Sequence, residues 1–408
     1  MSPYEMLFLS RYRVLLPNIP VCQGPGGICY DFNDGARILL PEGRWHIRIE
    51  DSETGNIIDE LDFGGGLVQS SIRYYVKFRI KVWKDGNPSP VFEHILNLKG
   101  RETQILFPVS SLGDCIAWIS SALEFVKKHS CRAEFIMSRQ MSELFCQTGK
   151  EIIYTDPRES RPLFPKPYAS YHLGLFFNDN SYSKLYSPSD YRLQPLHCQA
   201  ADILGVSKNL VPLNIESGKP RPIRERYVAI SCKSGKKAKN WLNSMGWVHT
   251  VAYLRRIGYR VVCIDKKANE HGQGLPPGAE DMTGNLPISE RAAVIEHSDF
   301  FIGLDSFLSW LAWALGKPAI VIGGFTLPFH IFSTPYRIMT PYACNGCFHD
   351  LNVPISEVVY DYDSCPRHKG TDREYECGRL ITAKQVIMQI NRLMSDCGIL
   401  RPCGRPPY

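Results

Sequence analysis

The chain has 408 residues, 44% hydrophobic and 22% charged, with 47 Lys plus Arg against 41 Asp plus Glu for a net charge of +6. At about 150 residues per domain this suggests two or three domains, and the composition excludes disorder, collagen and coiled coil as the main architecture. The weak, dispersed charge argues against a nucleic-acid partner, and no run reaches the ~18 to 20 apolar residues of a membrane span. LFLSRYRVLL near the N-terminus is broken by Arg11 and Arg13 and lacks a small-residue cleavage site, so the expected compartment is the cytoplasm.

Residues 1–100 read as β-rich. RWHIRIED and YYVKFRIKVW alternate apolar and polar side chains, the period of half-buried strands, and DSETGN, DFGGG and KDGNPSP supply the turns. A small antiparallel sheet or barrel is expected there. From residue 101 the pattern alternates between strand and helix: TQILFPVS, then the helical CIAWISSALEFVKKHS, the strand CRAEFIMS, a short helix in MSELFCQTG, and the strands EIIYTD and YHLGLFF. PRESRPLFPKPY is a proline-rich loop. After the polar stretch 207–224 a second alternation runs RYVAISCK, WVHTVAYLRRIG, YRVVCID, SERAAVIEHS (capped by Ser289), DFFIGLD, SFLSWLAWALG and KPAIVIGGF. Alternating strands and helices imply parallel sheets, so the fold class is α/β, with two Rossmann-like domains facing one another across a cleft. The last amphipathic helix is TAKQVIMQINRLMS.

Ligands of such sheets bind beyond the carboxyl ends of the strands, which singles out four loops. SSLGDCIAW places Gly113 and Asp114 between a strand and a helix, where Asp114 is either a helix cap or a general base. CKSGKKAKNW follows the first strand of the second unit. It is either a solvated basic loop or a diphosphate site in which lysines and backbone donors converge. In LPPGAEDMTG, Glu280 or Asp281 is an ordinary acidic turn residue or a partner for ribose hydroxyls. GLDSFLSWLAWALGKP sets Asp305 and Ser306 at a strand end and helix N-terminus, suited to a phosphate or a sugar hydroxyl. Phe307, Trp310 and Trp313 at helical spacing read as core.

Of the 14 cysteines, ten are scattered and read largely as small buried hydrophobes. The other four, Cys344, Cys347, Cys365 and Cys377, form a C-x2-C pair followed by two further thiols. That set suits a closed tetrahedral S4 metal site of structural kind, with zinc the generic ion and iron having the same ligands. Disulfides or unrelated buried thiols are the alternatives.

Taken together, YDFNDGARILLPEGRWHIRI, the LGD loop, AKNW, PPGAEDMTG, GLDSFLSWLAWALGKP and SCPRHKGTDREYECGRLIT resemble the bacterial autotransporter heptosyltransferases over nearly the whole chain. SLGD and GLDSFLSWLAWALGKP look more distantly like motifs of lipopolysaccharide heptosyltransferases. The resemblance implies a GT-B glycosyltransferase that moves heptose from ADP-heptose onto many Ser and Thr hydroxyls of an autotransporter adhesin passenger domain. It implies an N-terminal β-barrel-like domain over 1–100, Rossmann-like domains over 101–206 (acceptor and base) and 207–340 (ADP-heptose), an iron finger over 341–380 with one iron per chain, and a helix and tail over 381–408. A large homo-oligomer, a dodecameric ring, is implied as well.

By motif, Asp114 matches the catalytic base, with Gly113 beside it, and Lys239 matches the diphosphate-binding lysine. Glu280 matches the ribose contact, Asp305 with Ser306 the sugar and phosphate contacts, and Thr326, after GGF, a further substrate contact. The expected reaction is inverting and independent of a divalent ion. No DxD pair stands where a Mg²⁺-dependent transferase needs one, since Asp361-Tyr362-Asp363 has that spelling inside the cysteine segment. The alternatives are a heptosyltransferase acting on a lipopolysaccharide core, and a non-catalytic metal-stabilised scaffold.

Overall fold

The computed structural model describes residues 16–108, 111–146, 148, 152–178, 181–359, 361 and 363–402. Two compact units share them. One is built mainly from residues before 211; the other takes everything from Val211 onward together with Ser111–Ala117 and Arg192–Leu196.

In the first unit the alternating runs form strands, but they divide between two sheets. Trp45–Asp51 and Phe78–Lys84 lie at the centre of a four-stranded antiparallel sheet whose edges are Ile57–Phe63 and Phe92–Ile95. Ile47, Ile49, Ile80 and Val82 are buried on one face while His46, Arg48 and Lys81 stand on the other, as a period of two requires. This sheet is an open path among the described residues. The remaining N-terminal strands, Cys29–Asn33, Arg37–Leu40 and Gly66–Gln69, extend the sheet of the next segment. Cys29–Asn33 pairs in parallel with Ala169–His172, which pairs with Glu102–Leu106, then Arg132–Ile136 and Ile153–Thr155.

Two buried carboxylates fix this unit. Asp31 takes a two-pronged pair from Arg37 at 2.7 and 2.6 Å, geometry that desolvated charges need. Glu134 accepts from Gln104 Nε2, Thr155 Oγ1 and the backbone N–H of Leu163 and Phe164 at 2.6–3.0 Å, which pins the proline-rich loop to the sheet.

The second unit is a six-stranded parallel sheet. In chain order its strands are Tyr227–Ile230, Arg260–Cys263, Glu280–Asp281, Phe301–Leu304, Ala319–Ile322 and Arg337–Ile338, and they lie in the order 3-2-1-4-5-6. Three of them, YVAI, FIGL and AIVI, are buried at every position, as helices on both faces demand. Helix Gly246–Arg256 ends before Gly258, which takes φ +99, and helix Phe307–Ala314 before Gly316 at φ +66. Helix Ile288–Glu296 begins one residue ahead of Ser289, after Pro287, so Ser289 lies inside the helix and is not its cap. The C-terminal helix Ala383–Asp396 starts at a capping box made by Thr382 and Gln385 and buries Val386, Ile390, Leu393 and Met394 in the sheet's core.

Trp241 is fully buried, donates through Nε1 to Ile381 O at 2.8 Å, and lies against Gly246 so closely that a Cβ there would fall 2.4 Å from the indole. Replacing a helical glycine by alanine gains about 1 kcal/mol at most, whereas overpacking a rigid core costs ~1–3 kcal/mol. Gly246→Ala is therefore expected to lower the thermal midpoint; an unchanged or raised midpoint in calorimetry contradicts this packing.

Candidate functional site

A sheet ordered 3-2-1-4-5-6 reverses direction between its first and fourth strands, and the crevice outside their carboxyl ends takes the ligand. Here those ends lead into Ser231–Lys239 and into Asp305. The first residues of helix Leu112–His129 belong to the same unit, and Gly113 packs against them: a Cβ on Gly113 would stand 3.5 Å from Phe307 Cα and 3.6 Å from the Trp310 ring. Asp114 is the third residue of that helix. Ser111 precedes the helix, and its hydroxyl donates to Asp114 Oδ2 at 2.5 Å, so Asp114 is not the cap.

Two carboxylates and an ammonium meet in this crevice. Burial drives the Asp114 carboxyl up; Ser111 and Lys239 pull it back; Asp305 raises it again, and it stands at about 6 against the ordinary 3.8. Burial also raises Asp305, but Lys239 and Arg337 outweigh it and hold that carboxyl at about 2. Thr326 Oγ1 donates to Asp305 Oδ2, and Arg337, 3.8 Å from the same oxygen, donates through Nη2 to Thr326 O and Oγ1, both at 3.0 Å. Environments that push two acids apart can separate their roles: Asp305 stays ionised, while the Asp114 carboxyl, at about 6, is suited to exchange a proton near neutrality. His330 is buried beside them and pushed down to about 3 by that burial, so it is neutral at physiological pH.

The basic run is not a solvated loop. Lys233 is buried 3.5 Å from Asp265, whose carboxylate also accepts from Ser231 Oγ and Cys232 N. Lys236 is buried, its Nζ donating to Glu357 O at 2.9 Å and to Asp361 O. Lys237 lies 5.0 Å over the Tyr375 ring. Lys239 is part-buried, 5.8 Å from the Phe325 ring centroid, and turns its charge on Asp114 and Asp305. Ser306 caps the helix position after Asp305 without a side-chain cap bond. Trp310 is buried against Phe332 at 5.2 Å, as a core residue.

Gly113, Asp114, Lys239, Asp305, Ser306 and Thr326 thus lie around one crevice. Glu280 does not meet them in any described contact: on its short strand it holds Arg260 at 2.7 and 2.5 Å, which keeps its carboxyl below the ordinary range. Arg337 and His330 carry no sequence motif; a lone Arg in YRIMT and a lone His in LPFHIF gain meaning only from the burial beside Asp305.

Cys347, Cys365 and Cys377 are buried and Cys344 is partly so, and none of the described cysteines is in a disulfide. Burial first, and then the charge of other thiols of the set, pushes Cys347 and Cys377 up to about 12, which places the groups within electrostatic reach of one another. Arg367 Nη1 stands 3.3 Å from Cys344 Sγ, and Glu376 accepts from Cys344 N at 2.6 Å, the kind of outer support that metal-ligating thiols carry. Four soft donors in a polar segment fit a metal ion. Among the described residues the donor atoms that lie within 4.8 Å of one another in this segment are those of Cys344, His368 and Glu376, with Cys347, Cys365 and Cys377 outside that group. A second, buried group, Cys232, Cys263 and Asp265, has its carboxylate already engaged by Ser231, Cys232 and Lys233.

Comparison with known proteins gives the family of the chain. The model of the N-terminal domain of glycosyltransferase TibC matches residues 24–86, and that of glycosyltransferase family 9, the heptosyltransferases, matches residues 191–345. The autotransporter heptosyltransferase BAHTCr of Citrobacter rodentium is 43% identical over 94% of this chain and 93% of its own. An inactive autotransporter heptosyltransferase, BimC of Burkholderia thailandensis, is 34% identical over 90% of this chain and 86% of its own. The crystal structure of TibC from enterotoxigenic E. coli, described as iron-containing and dodecameric, is 42% identical, covers 93% of this chain and 99% of its own, and superposes with a TM-score of 0.88. TibC has also been crystallised with ADP-D-beta-D-heptose, with the same TM-score. With its mixed α/β sheets and GT-B-like heptosyltransferase fold, the chain belongs to the autotransporter heptosyltransferases of glycosyltransferase family 9.

Proposed function

We propose that this heptosyltransferase moves heptose from ADP-heptose to serine and threonine hydroxyls of an autotransporter adhesin passenger domain, in the cytoplasm, by inversion at the anomeric carbon. The observation that carries the mechanism is the split between its two crevice acids: Asp114 titrates near 6 while Asp305 stays ionised. Asp114 takes the proton of the acceptor hydroxyl as that oxygen attacks the anomeric carbon. The bond from that carbon to the diphosphate oxygen breaks, and ADP leaves with the electron pair. Lys239 and the helix N-terminal amides near Ser306 meet the charge that develops on the diphosphate. Asp305, fixed by Thr326 and Arg337, accepts from sugar hydroxyls. Glu280 serves the ribose once Arg260 shares its carboxylate. The segment 101–206 supplies the base and 207–340 the donor ligands.

The description of its relatives as autotransporter heptosyltransferases supports a protein acceptor over a lipopolysaccharide core, and a carboxyl poised near neutrality argues against an inert scaffold. Co-expression with a passenger domain is expected to add heptose-mass increments to its peptides; increments on lipopolysaccharide alone would move the assignment to the other acceptor. The relatives' descriptions likewise support a large homo-oligomer of this chain, a dodecameric ring.

Cys344, Cys347, Cys365 and Cys377 are the residues that hold iron, one per chain, with zinc the other ion such a set accepts. These residues would hold the ion, which would supply structural crosslinking within residues 341–380. Cys365→Ser is expected to empty the site by elemental analysis and to open this segment to limited proteolysis; a full complement of metal in that variant removes Cys365 from the set.

Asp114→Asn is expected to leave ADP binding near wild type and to cut transfer by roughly 10²- to 10⁴-fold; retained turnover takes Asp114 out of its role. In the wild type, kcat/KM falls as the pH drops through about 6, because the base is lost by protonation. The same shift bears on stability. The folded value lies above the unfolded 3.8, so the ionised carboxylate destabilises the fold above pH 6 and has no effect below the unfolded value. About two units correspond to at most ~3 kcal/mol. Asp114→Asn should therefore melt later than wild type at pH 8, with the gap closing toward pH 4; an equal gap at both pH values contradicts the shift.

A further inference from the structure

The segment that carries the four cysteines is folded onto the loop that carries Lys239. Gly378 approaches Asn240 so closely that a Cβ would fall 2.4 Å from its carbonyl oxygen, and Asn243 Nδ2 donates to Arg379 O at 3.1 Å. His271 bridges Gly235 O and Asp363 Oδ1 at 3.2 and 3.0 Å. Across the crevice opening, Gly346 N donates to Gly324 O at 2.7 Å and Phe348 N to Phe325 O at 3.2 Å, bracing the turn that leads to Thr326.

Lys236 is the most committed of these attachments. It lies three residues before Lys239 and is 5% exposed, with its ammonium turned away from the crevice acids. Nζ donates instead to two main-chain carbonyls, Glu357 O at 2.9 Å and Asp361 O, and the Phe325 ring closes over it at 5.4 Å. Both carbonyls belong to the stretch between Cys347 and Cys365. A buried ammonium whose described hydrogen bonds go to main-chain carbonyls joins two segments strongly, because parting them leaves a desolvated charge and two desolvated oxygens unpaired. The short 3-10 turn Lys237–Lys239 then leaves little freedom between this anchor and the Lys239 ammonium.

We propose that Lys236 is a positioning residue that latches the Lys239 loop to the cysteine segment, so that the metal-held segment sets where the diphosphate-binding lysine stands. This rests on the readings of Lys239 as a diphosphate ligand and of the four cysteines as metal ligands. It goes beyond them in making the metal lobe part of nucleotide affinity, through one named side chain whose described hydrogen bonds go to the backbone of that lobe.

The test is a thermodynamic cycle on the full-length metal-loaded protein, with ADP as the probe in titration calorimetry and metal content read by elemental analysis. Lys236→Met is expected to keep its metal and to weaken ADP binding by tenfold or more. Metal-depleted wild type should show a similar loss. Depleting Lys236→Met should add less than threefold, because both changes cut the same connection. Lys236→Arg, which keeps a cation that can donate to both carbonyls, should bind ADP within threefold of wild type. This variant decides the case if Lys236→Met does not fold. The proposal is overturned if Lys236→Met binds ADP as wild type does, if the two losses multiply, or if Lys236→Arg is as weak as metal-depleted wild type. Failure of the underlying readings looks different: metal-loaded wild type would bind no ADP, or purified wild type would hold no metal.

Discussion

The arrangement turns on the field of a single ammonium, Lys239, acting on two buried carboxylates. Lys239 lowers both Asp114 and Asp305, yet the two acids end about four units apart, because Asp305 has a second cation and a hydroxyl while Asp114 has one hydroxyl and a like charge beside it. Neither acid would survive ionised at this depth without compensation. The fold concentrates them there because parallel strands deliver their loops to one end of a sheet. That end is where a diphosphate must be met by positive charge and where a hydroxyl proton must be removed. The destabilisation stored in Asp114 is the ordinary consequence of burying a carboxyl with one hydroxyl partner beside a like charge.

The cysteine segment is the other half of that logic. Residues 341–380 contribute few side chains to the large apolar core and so gain little from burial. Their order comes from the Arg367 and Glu376 contacts around Cys344, and from hydrogen bonds to the loop that carries Lys239. A basic run that looks like a solvated face is thereby sorted into four environments. Lys233 pairs with Asp265, Lys236 donates to carbonyls of the cysteine segment, Lys237 lies on Tyr375, and Lys239 acts on the two crevice acids. Charge that composition counts as one feature is, physically, four different interactions.

The N-terminal residues show the same principle in the backbone. Trp45–Asp51 and Phe78–Lys84 form the half-buried strands that their alternation announces, but Cys29–Asn33 finds its partner in Ala169–His172, well over a hundred residues away. Pairing of that kind is set by the edge a sheet offers and by buried groups such as Asp31 and Arg37. No window of sequence contains both partners.

What the chain specifies locally was legible from its residues. The alternation of strand and helix, the glycines that end helices, the LGD and GLDS turns, and the four-thiol spacing all follow from short-range periodicity, backbone sterics and ligand chemistry. The parallel sheet and the loops that carry Asp114, Lys239 and Asp305 follow from these. Tertiary structure alone decided the rest: that Asp114 is the third residue of its helix and not the cap, that Glu280 is engaged by Arg260, and that Arg337 and His330 lie beside Asp305. It also turned Lys236 and Lys239 to different partners. The reason is that burial and electrostatic environment belong to residues brought together from distant parts of the chain. A carboxyl's proton affinity is fixed by neighbours that its own sequence window does not include.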